Sequence, residues 1–151
     1  MIGVISDTHG LVRPQVFDVF QGVKLIIHAG DIGSPDVLTK LKTIAPVIAV
    51  RGNNDRSEWA DCLPATQVVE QATHFFYVLH EVEHLDLDPA AADFSAVIFG
   101  HSHRPVVEYK NRVLFLNPGS AGPRRFSLPI AVARLKVTPA GLHPEIIFLA
   151  G

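Results

Sequence analysis

Short apolar runs that each stop at a metal-capable polar residue constrain this chain more than any other feature. Ala96-Val97-Ile98-Phe99 runs directly into Gly100-His101-Ser102-His103. Four apolar residues ending at a glycine predict a buried strand entering a turn. In an extended segment residues i and i+2 point to one side, so His101 and His103 can converge on one spot; a short loop can aim them at two adjacent spots instead. The arrangement recurs. Asp7-Thr8-His9 follows Ile2-Gly3-Val4-Ile5, and Asp31 follows Leu25-Ile26-Ile27 and a short turn. Asn53 follows Val47-Ile48-Ala49-Val50, and His80 follows Phe75-Phe76-Tyr77-Val78-Leu79. The carboxyl ends of strands in open sheets form the crevice where ligands bind. Five strands therefore deliver nitrogen and oxygen donors to one edge.

The bulk composition narrows the class. A chain of 151 residues, 48% hydrophobic and 19% charged, is expected to fold as one soluble globular domain spanning 1–151. A formal charge of -2 offers no basic field for stable nucleic-acid binding or for a membrane surface. No apolar stretch is long enough to span a bilayer, and Asp7 interrupts the N-terminal apolar run, which argues against a signal peptide. The single cysteine, Cys62, has no internal disulfide partner, so a reducing compartment and a cytoplasmic location are expected. Cys62 itself reads as a small buried hydrophobe.

Met1 to Ile5 lacks alternation and predicts a strand buried on both faces. Pro14 suits a first helical turn, with Val16, Phe17, Val19 and Phe20 as its apolar face and Gly22 as its end. Lys24 to His28 is the second strand. Ser34-Pro35 opens a helix from about Asp36 to Thr43, and Pro46 to Val50 is the third strand, completing βαβαβ. Trp59 to Leu63 reads as a short helical or irregular segment, with Trp59 packed. Thr66 to Glu70 and His74 to Leu79 are two more strands, Ala90 to Phe94 holds a helical turn, and Ala96 to Phe99 precedes the paired histidines. Two hairpins close the chain, Val106–Tyr109 with Val113–Leu116, and Ile130–Val137 with Glu145–Leu149. Parallel units followed by hairpins predict two packed sheets with helices outside. The apolar strands of the terminal hairpins leave an edge suited to a homodimer.

The donor set Asp7, His9, Asp31, Asn53, His80, His101 and His103 is too large for one zinc, which takes three or four protein ligands. It suits two divalent ions sharing a bridging carboxylate, the arrangement that stabilises attacking and leaving oxygens in phosphoryl displacement. A hydroxide between such ions is a nucleophile at neutral pH. Two dications against two aspartates leave a positive site that attracts a phosphate oxyanion. Imidazole and oxygen donors without thiolate point to Mn foremost, with Fe, Zn, Ni or Co as alternatives, rather than to Mg alone.

Asp7-Thr8-His9, Gly30-Asp31, Gly52-Asn53-Asn54-Asp55, His80, Gly100-His101-Ser102-His103 and Asn117-Pro118-Gly119-Ser120 stand in an order that resembles the calcineurin-like metallophosphoesterases, most of all their small bacterial and archaeal phosphodiesterases. The resemblance runs from Ile2 to about Val137. It implies a four-layer αββα sandwich of two mixed sheets. It also implies that Asp7, His9 and His103 hold one metal and Asn53, His80 and His101 the other, with Asp31 bridging. The substrate implied is a small phosphodiester or nucleotide-like molecule. Two departures stand out. Many members carry a histidine where this chain has Asn54; that histidine contacts phosphate and is proposed to protonate the leaving group. An amide donates a hydrogen bond to phosphate but is no general acid, so modest turnover or a preference for good leaving groups follows. Glu81 stands where the family usually has glycine, next to a metal histidine, so it either displaces substrate or adds a ligand.

Competing readings remain on the page. His80-Glu81-Val82-Glu83-His84 fits the zinc-peptidase pattern H-E-x-x-H, which needs both histidines on one helix face; the β-branched and aromatic run before it predicts a strand instead, with His84 at the surface. His28 reads as packed or supporting, and His74 and His143 as solvated. Arg124 and Arg125 follow Asn117-Pro118-Gly119-Ser120, and an arginine such as Arg125 has the geometry to bind a substrate phosphate. A retromer subunit resembles this fold, lacks much of the catalytic set and binds proteins, so a protein-binding scaffold is the rival class. A nucleotide sensor with weak turnover is a third.

Overall fold

The computed structural model describes residues 1–150; Gly151 lies outside the described residues. Two five-stranded mixed sheets form the body. The first has the order β10-β9-β1-β2-β3, from β1 (Ile2–Ile5), β2 (Leu25–His28), β3 (Val47–Ala49), β9 (Ala131–Thr138) and β10 (Gly141–Phe148). The second has the order β4-β5-β6-β8-β7, from β4 (Thr66–Gln71), β5 (His74–Leu79), β6 (Ala96–Ile98), β7 (Val106–Lys110) and β8 (Val113–Asn117). Strands β1, β2 and β3 run parallel, as do β5, β6 and β8. All four residues of β1 and of β2 are buried, as expected of parallel strands covered on both faces.

The sheets pack through alternate side chains. Ile2, Val4, Leu25 and Ile27 of the first sheet meet Phe76, Val78, Ala96, Ile98, Leu114 and Leu116 of the second in one apolar layer. The opposite face of the first sheet carries Ile5 and Ile26, covered by Val16 and Phe20 at α1 (Pro14–Val19) and by Val37 and Leu41 of α2 (Pro35–Lys42). Proline occupies the start of both helices, where its missing N–H costs nothing. Ser34 is the residue before α2, but its hydroxyl makes no capping bond. On the outer face of the second sheet Leu79, Val97, Phe99 and Val113 lie under Val82, Leu85 and Ala90. The cover there is a 3₁₀ turn at Val82–His84 and a hydrogen-bonded turn in which Ala92 N–H donates to Asp88 O (3.0 Å). No helix among the described residues is long and apolar enough to cross a membrane.

Three expectations change. The last strand begins at Gly141, not Glu145, because Thr138 pairs with Gly141 across a tight turn. Pro144 sits inside it opposite Leu135, tolerated because β10 is an edge strand whose free side needs no donor. His74 is not solvated: Nδ1 meets Ser95 Oγ and Nε2 meets Thr138 O, each at 2.8 Å, tying β5 to the end of β9. Cys62 is exposed rather than buried, at the end of the short helix α3 (Glu58–Asp61), while Trp59 packs against the helix-side core.

Candidate metal centre

The carboxyl ends of β1, β2, β3, β5 and β6 open at one edge of the two sheets, and their exit loops continue the ladder. Asp7 N–H donates to Gly30 O, His9 N–H to Asp31 O and Gly100 N–H to His80 O, all at 3.0 Å. The backbone then turns against its preference. Asp7, His9, Asp31, His101 and His103 all have positive φ, between 47° and 73°. Non-glycine residues avoid this left-handed region, and such strain gathers at functional sites. His101 and His103 are therefore not an extended pair: the loop aims them at two adjacent spots. His103 lies beside His9, ring centroids 5.6 Å apart, and His101 beside His80 at 5.2 Å.

The carboxylates divide their two oxygens between protein and site. Asp7 is fully buried; its Oδ2 accepts from Ser6 Oγ (2.7 Å) and from His101 N–H (3.1 Å). Its Oδ1 has no hydrogen-bond partner and faces Nε2 of His103 (3.4 Å), His80 (3.7 Å) and His9 (3.9 Å). Asp31 Oδ1 accepts from Asn54 N–H (2.9 Å), while Oδ2 lies 3.3 Å from His80 Nε2 and 3.8 Å from His9 Nε2. The exit loops approach so closely that two glycines are required. A Cβ on Gly52 would strike Asp31 Oδ1, and one on Gly100 would strike Ser6 Oγ and come within 2.7 Å of Asp7 Oδ2.

His80 Nδ1 lies 2.7 Å from Ala29 O, so Nδ1 carries the proton and Nε2 is turned toward both aspartates. Burial opposes its charged form, but Asp31 and Asp7 outweigh that and raise its pKa. Burial likewise pushes Asp31 upward, and His80 with the Asn54 N–H brings it down to about 2. Asp7 is also held low: burial raises it, and His103, His80 and Ser6 more than compensate. Two carboxylates and converging imidazole nitrogens thus form a donor set suited to a cation. Buried Asp7 Oδ1, His9 Nε2 and His80 Nε2 stand without hydrogen-bond partners within the protein, which suits atoms that would bind an ion. Two groups close enough to hold an ion result, Asp7 with His9 and His103, and Asp7 with Asp31 and His80.

His101 lies outside those compact groups of carboxylates and imidazoles. Asn53 is exposed and borders a cavity with His80, and His101 contacts His80 by its ring. Asn54 Nδ2 donates to Asp31 Oδ2 (3.0 Å), so its amide is engaged with the Asp31 carboxylate. Arg125 is exposed in the loop between β8 and β9, and its side chain makes no hydrogen bond among the described residues. Glu81 holds His84 Nε2 at 3.2 Å and stands 3.9 Å from His101 Nδ1. His80 directly follows β5 and His84 sits 73% exposed on the 3₁₀ turn, so the two share no helix face and the peptidase reading fails.

Several supporting residues carried no role in the sequence reading. Asp55 accepts from the N–H groups of Ile32 (3.1 Å), Gly33 (3.1 Å) and Gly52 (3.0 Å), tying the β2 and β3 exits together. Asn117 Nδ2 donates to Gly100 O (3.0 Å), and Ser120 Oγ to Asp7 O (3.1 Å). Only their place in Gly52-Asn53-Asn54-Asp55 and Asn117-Pro118-Gly119-Ser120 signalled them. His28, fully buried, accepts from Gly30 N–H at Nδ1 (3.1 Å) and meets Thr8 Oγ1 at Nε2 (3.0 Å). Burial pushes its pKa down to about 4, so it is a neutral support.

Comparison with known proteins agrees with this geometry. Residues 1–139 match the calcineurin-like phosphoesterase superfamily domain. A probable metallophosphoesterase of Methanothermobacter thermautotrophicus is 36% identical, over 97% of this chain and 91% of that protein. A phosphodiesterase of Methanocaldococcus jannaschii is 29% identical, over 78% of this chain and 82% of its own. Among solved structures, Vps29 of Chaetomium thermophilum superposes with a TM-score of 0.84 at 22% identity, covering 99% of this chain and 88% of that one. An archaeal phosphodiesterase does so with a TM-score of 0.77 at 24% identity, covering 97% and 99%. Those two likenesses carry the fold alone. With the domain match covering most of its length, the chain belongs to the calcineurin-like phosphoesterase superfamily and is a metal-dependent phosphoester hydrolase.

Proposed function

We propose that this chain is a phosphodiesterase that works with two divalent ions, manganese foremost, held by Asp7, His9, Asp31, Asn53, His80, His101 and His103. The observation that carries the reading is the convergence of three buried, unpartnered ligand atoms, Asp7 Oδ1, His9 Nε2 and His80 Nε2, on carboxylates kept ionised. Bound ions would supply Lewis acidity, lowering the pKa of water and neutralising phosphate charge.

The chain's own residues supply the positioning. Ser6 and the His101 N–H clamp Asp7 Oδ2, so Oδ1 cannot swing away. The Ala29 carbonyl fixes the His80 ring, and Asp55 fixes the loops bearing Asp31 and Asn53. Asn54 would donate Nδ2 to a phosphate oxygen once freed from Asp31 Oδ2, and Arg125 would reach the phosphate from its loop. Neither side chain protonates a leaving alcohol at neutral pH. Small diesters with good leaving groups are therefore the favoured substrates.

The test is hydrolysis of bis(p-nitrophenyl) phosphate by metal-stripped protein with and without Mn²⁺. We expect Mn²⁺-dependent turnover. Because even outer partners of metal ligands are worth about 10–100-fold, the variant carrying both His101→Ala and His103→Ala should lose more than about 100-fold. Absence of turnover with Mn, Fe, Zn, Ni or Co would refute the reading. Protein-partner binding that survives the double substitution would support a scaffold instead.

A further inference from the structure

Beside the Asn53 and His80 half of the centre lies a cavity of about 240 Å³, bordered by Arg51, Asn53, Leu79, His80, Glu81 and His84. It is continuous with the proposed ligands because Asn53 and His80 belong to both. One of its walls is unusual. Glu81 is 20% exposed, and its Oε2 lies 3.2 Å from His84 Nε2. Its Oε1 makes no hydrogen bond among the described residues; His101 Nδ1 is 3.9 Å away, beyond hydrogen-bond reach. Arg51 borders the same cavity, with Nη1 only 3.4 Å from Leu63 O, and no ion pair joins it to Glu81. The cavity therefore presents one carboxylate and one guanidinium that are not paired with each other.

Resting on the phosphodiesterase reading, we infer that this cavity takes one ester arm of the substrate and that Glu81 sets its chemistry: an uncharged, hydroxyl-bearing alcohol such as a nucleoside or sugar is accepted, and an arm carrying a second phosphate is refused. Hydroxyl groups donate to a free carboxylate oxygen, and Arg51 donates to the arm's oxygens, so a neutral polar arm satisfies both walls. A second phosphate dianion has no proton to give Glu81 and meets a like charge in a partly enclosed site. Such juxtaposition is a strong means of excluding a wrong ligand. Arg51 cannot offset it fully, because its single charge already faces that of Glu81 across the cavity.

Two chromogenic diesters that differ only in the second phosphate test this: the p-nitrophenyl ester of thymidine 5′-phosphate and the same ester carrying a 3′-phosphate. With Mn²⁺, the unmodified chain should prefer the first by about tenfold or more in kcat/KM, and Glu81→Gln should narrow that to about threefold or less. Calorimetric binding of thymidine 5′-phosphate against thymidine 3′,5′-bisphosphate to the Mn²⁺-loaded protein should show the same collapse of preference. Turnover with a preference that Glu81→Gln leaves unchanged overturns the inference and spares the phosphodiesterase. Binding that discriminates through Glu81 without any turnover supports the cavity's role and removes the phosphodiesterase. Neither turnover nor discrimination overturns both. Glutamine keeps the size of the side chain, so the comparison reads charge and not folding.

Discussion

The layer between the two sheets and the rim at their carboxyl ends are built on opposite terms. Between the sheets, Ile27, Phe76, Val78, Ile98, Leu114 and Leu116 are completely buried, or nearly so, in regular strands. A few ångströms on, in the loops that leave these strands, five non-glycine residues adopt left-handed backbone and three candidate ligand atoms lie buried without partners. Strain of that kind costs of order 1–3 kcal/mol per residue and persists only where the surroundings enforce it. The regular layer supplies the enforcement, and the rim uses it to hold unsatisfied donors in place. Stability and chemistry are thus separate functions of neighbouring residues on the same strand.

The comparison can be broken most forcefully in the layer. Leu116→Ala removes a fully buried side chain between the sheets and should cost about 2–5 kcal/mol, read as a lowered urea midpoint. Activity per folded molecule should stay near that of the unmodified chain, since the Leu116 side chain packs in the layer between the sheets. Comparable loss of activity in folded protein would show that layer and rim are not separable.

Acid tests the support beneath the rim. His28 is neutral in the folded protein, with its pKa pushed down from 6.5 to about 4. Between those values the unfolded chain binds a proton that the folded chain refuses. The stabilisation is therefore complete above pH 6.5 and is lost as pH falls toward 4, on the order of 3 kcal/mol in all. Denaturant titrations of metal-free protein at pH 7.5, 5.5 and 4.5 should show this decline, and His28→Gln should lack the portion between pH 6.5 and 4.

Two rim substitutions should have smaller effects. Gly100→Ala forces a Cβ against Ser6 and Asp7; overpacking of this sort costs about 1–3 kcal/mol, and Mn²⁺-dependent turnover should fall because Asp7 must move. His101→Gly is the reverse. It relieves a φ of 73° at a half-exposed residue, so metal-free protein should gain a few tenths to about 1 kcal/mol in thermal unfolding while turnover drops.

The positions of the donors were legible in sequence because each stands at the end of an apolar run, where a buried strand must stop. Asp7, His9, Asp31, His80 and His103 meet for that reason. The conformation that makes them meet was not legible. Left-handed backbone at His101 and His103 is enforced by Asn117 on Gly100 O and by Asp7 on His101 N–H, contacts far apart in sequence. The amide of Asn54 on Asp31 and the three backbone donors on Asp55 are hidden for the same reason. The earlier start of the last strand was hidden because tolerance of Pro144 depends on which strand lies at the sheet edge.

The central claim is that the rim is strained in order to hold two divalent ions. Metal content per chain, measured on protein loaded with Mn²⁺ and then dialysed, tests it most directly. The account predicts two ions per unmodified chain, fewer when both His101→Ala and His103→Ala are present, and a thermal midpoint that rises on loading. One ion or none in well-folded unmodified protein, with an unchanged midpoint, would contradict it.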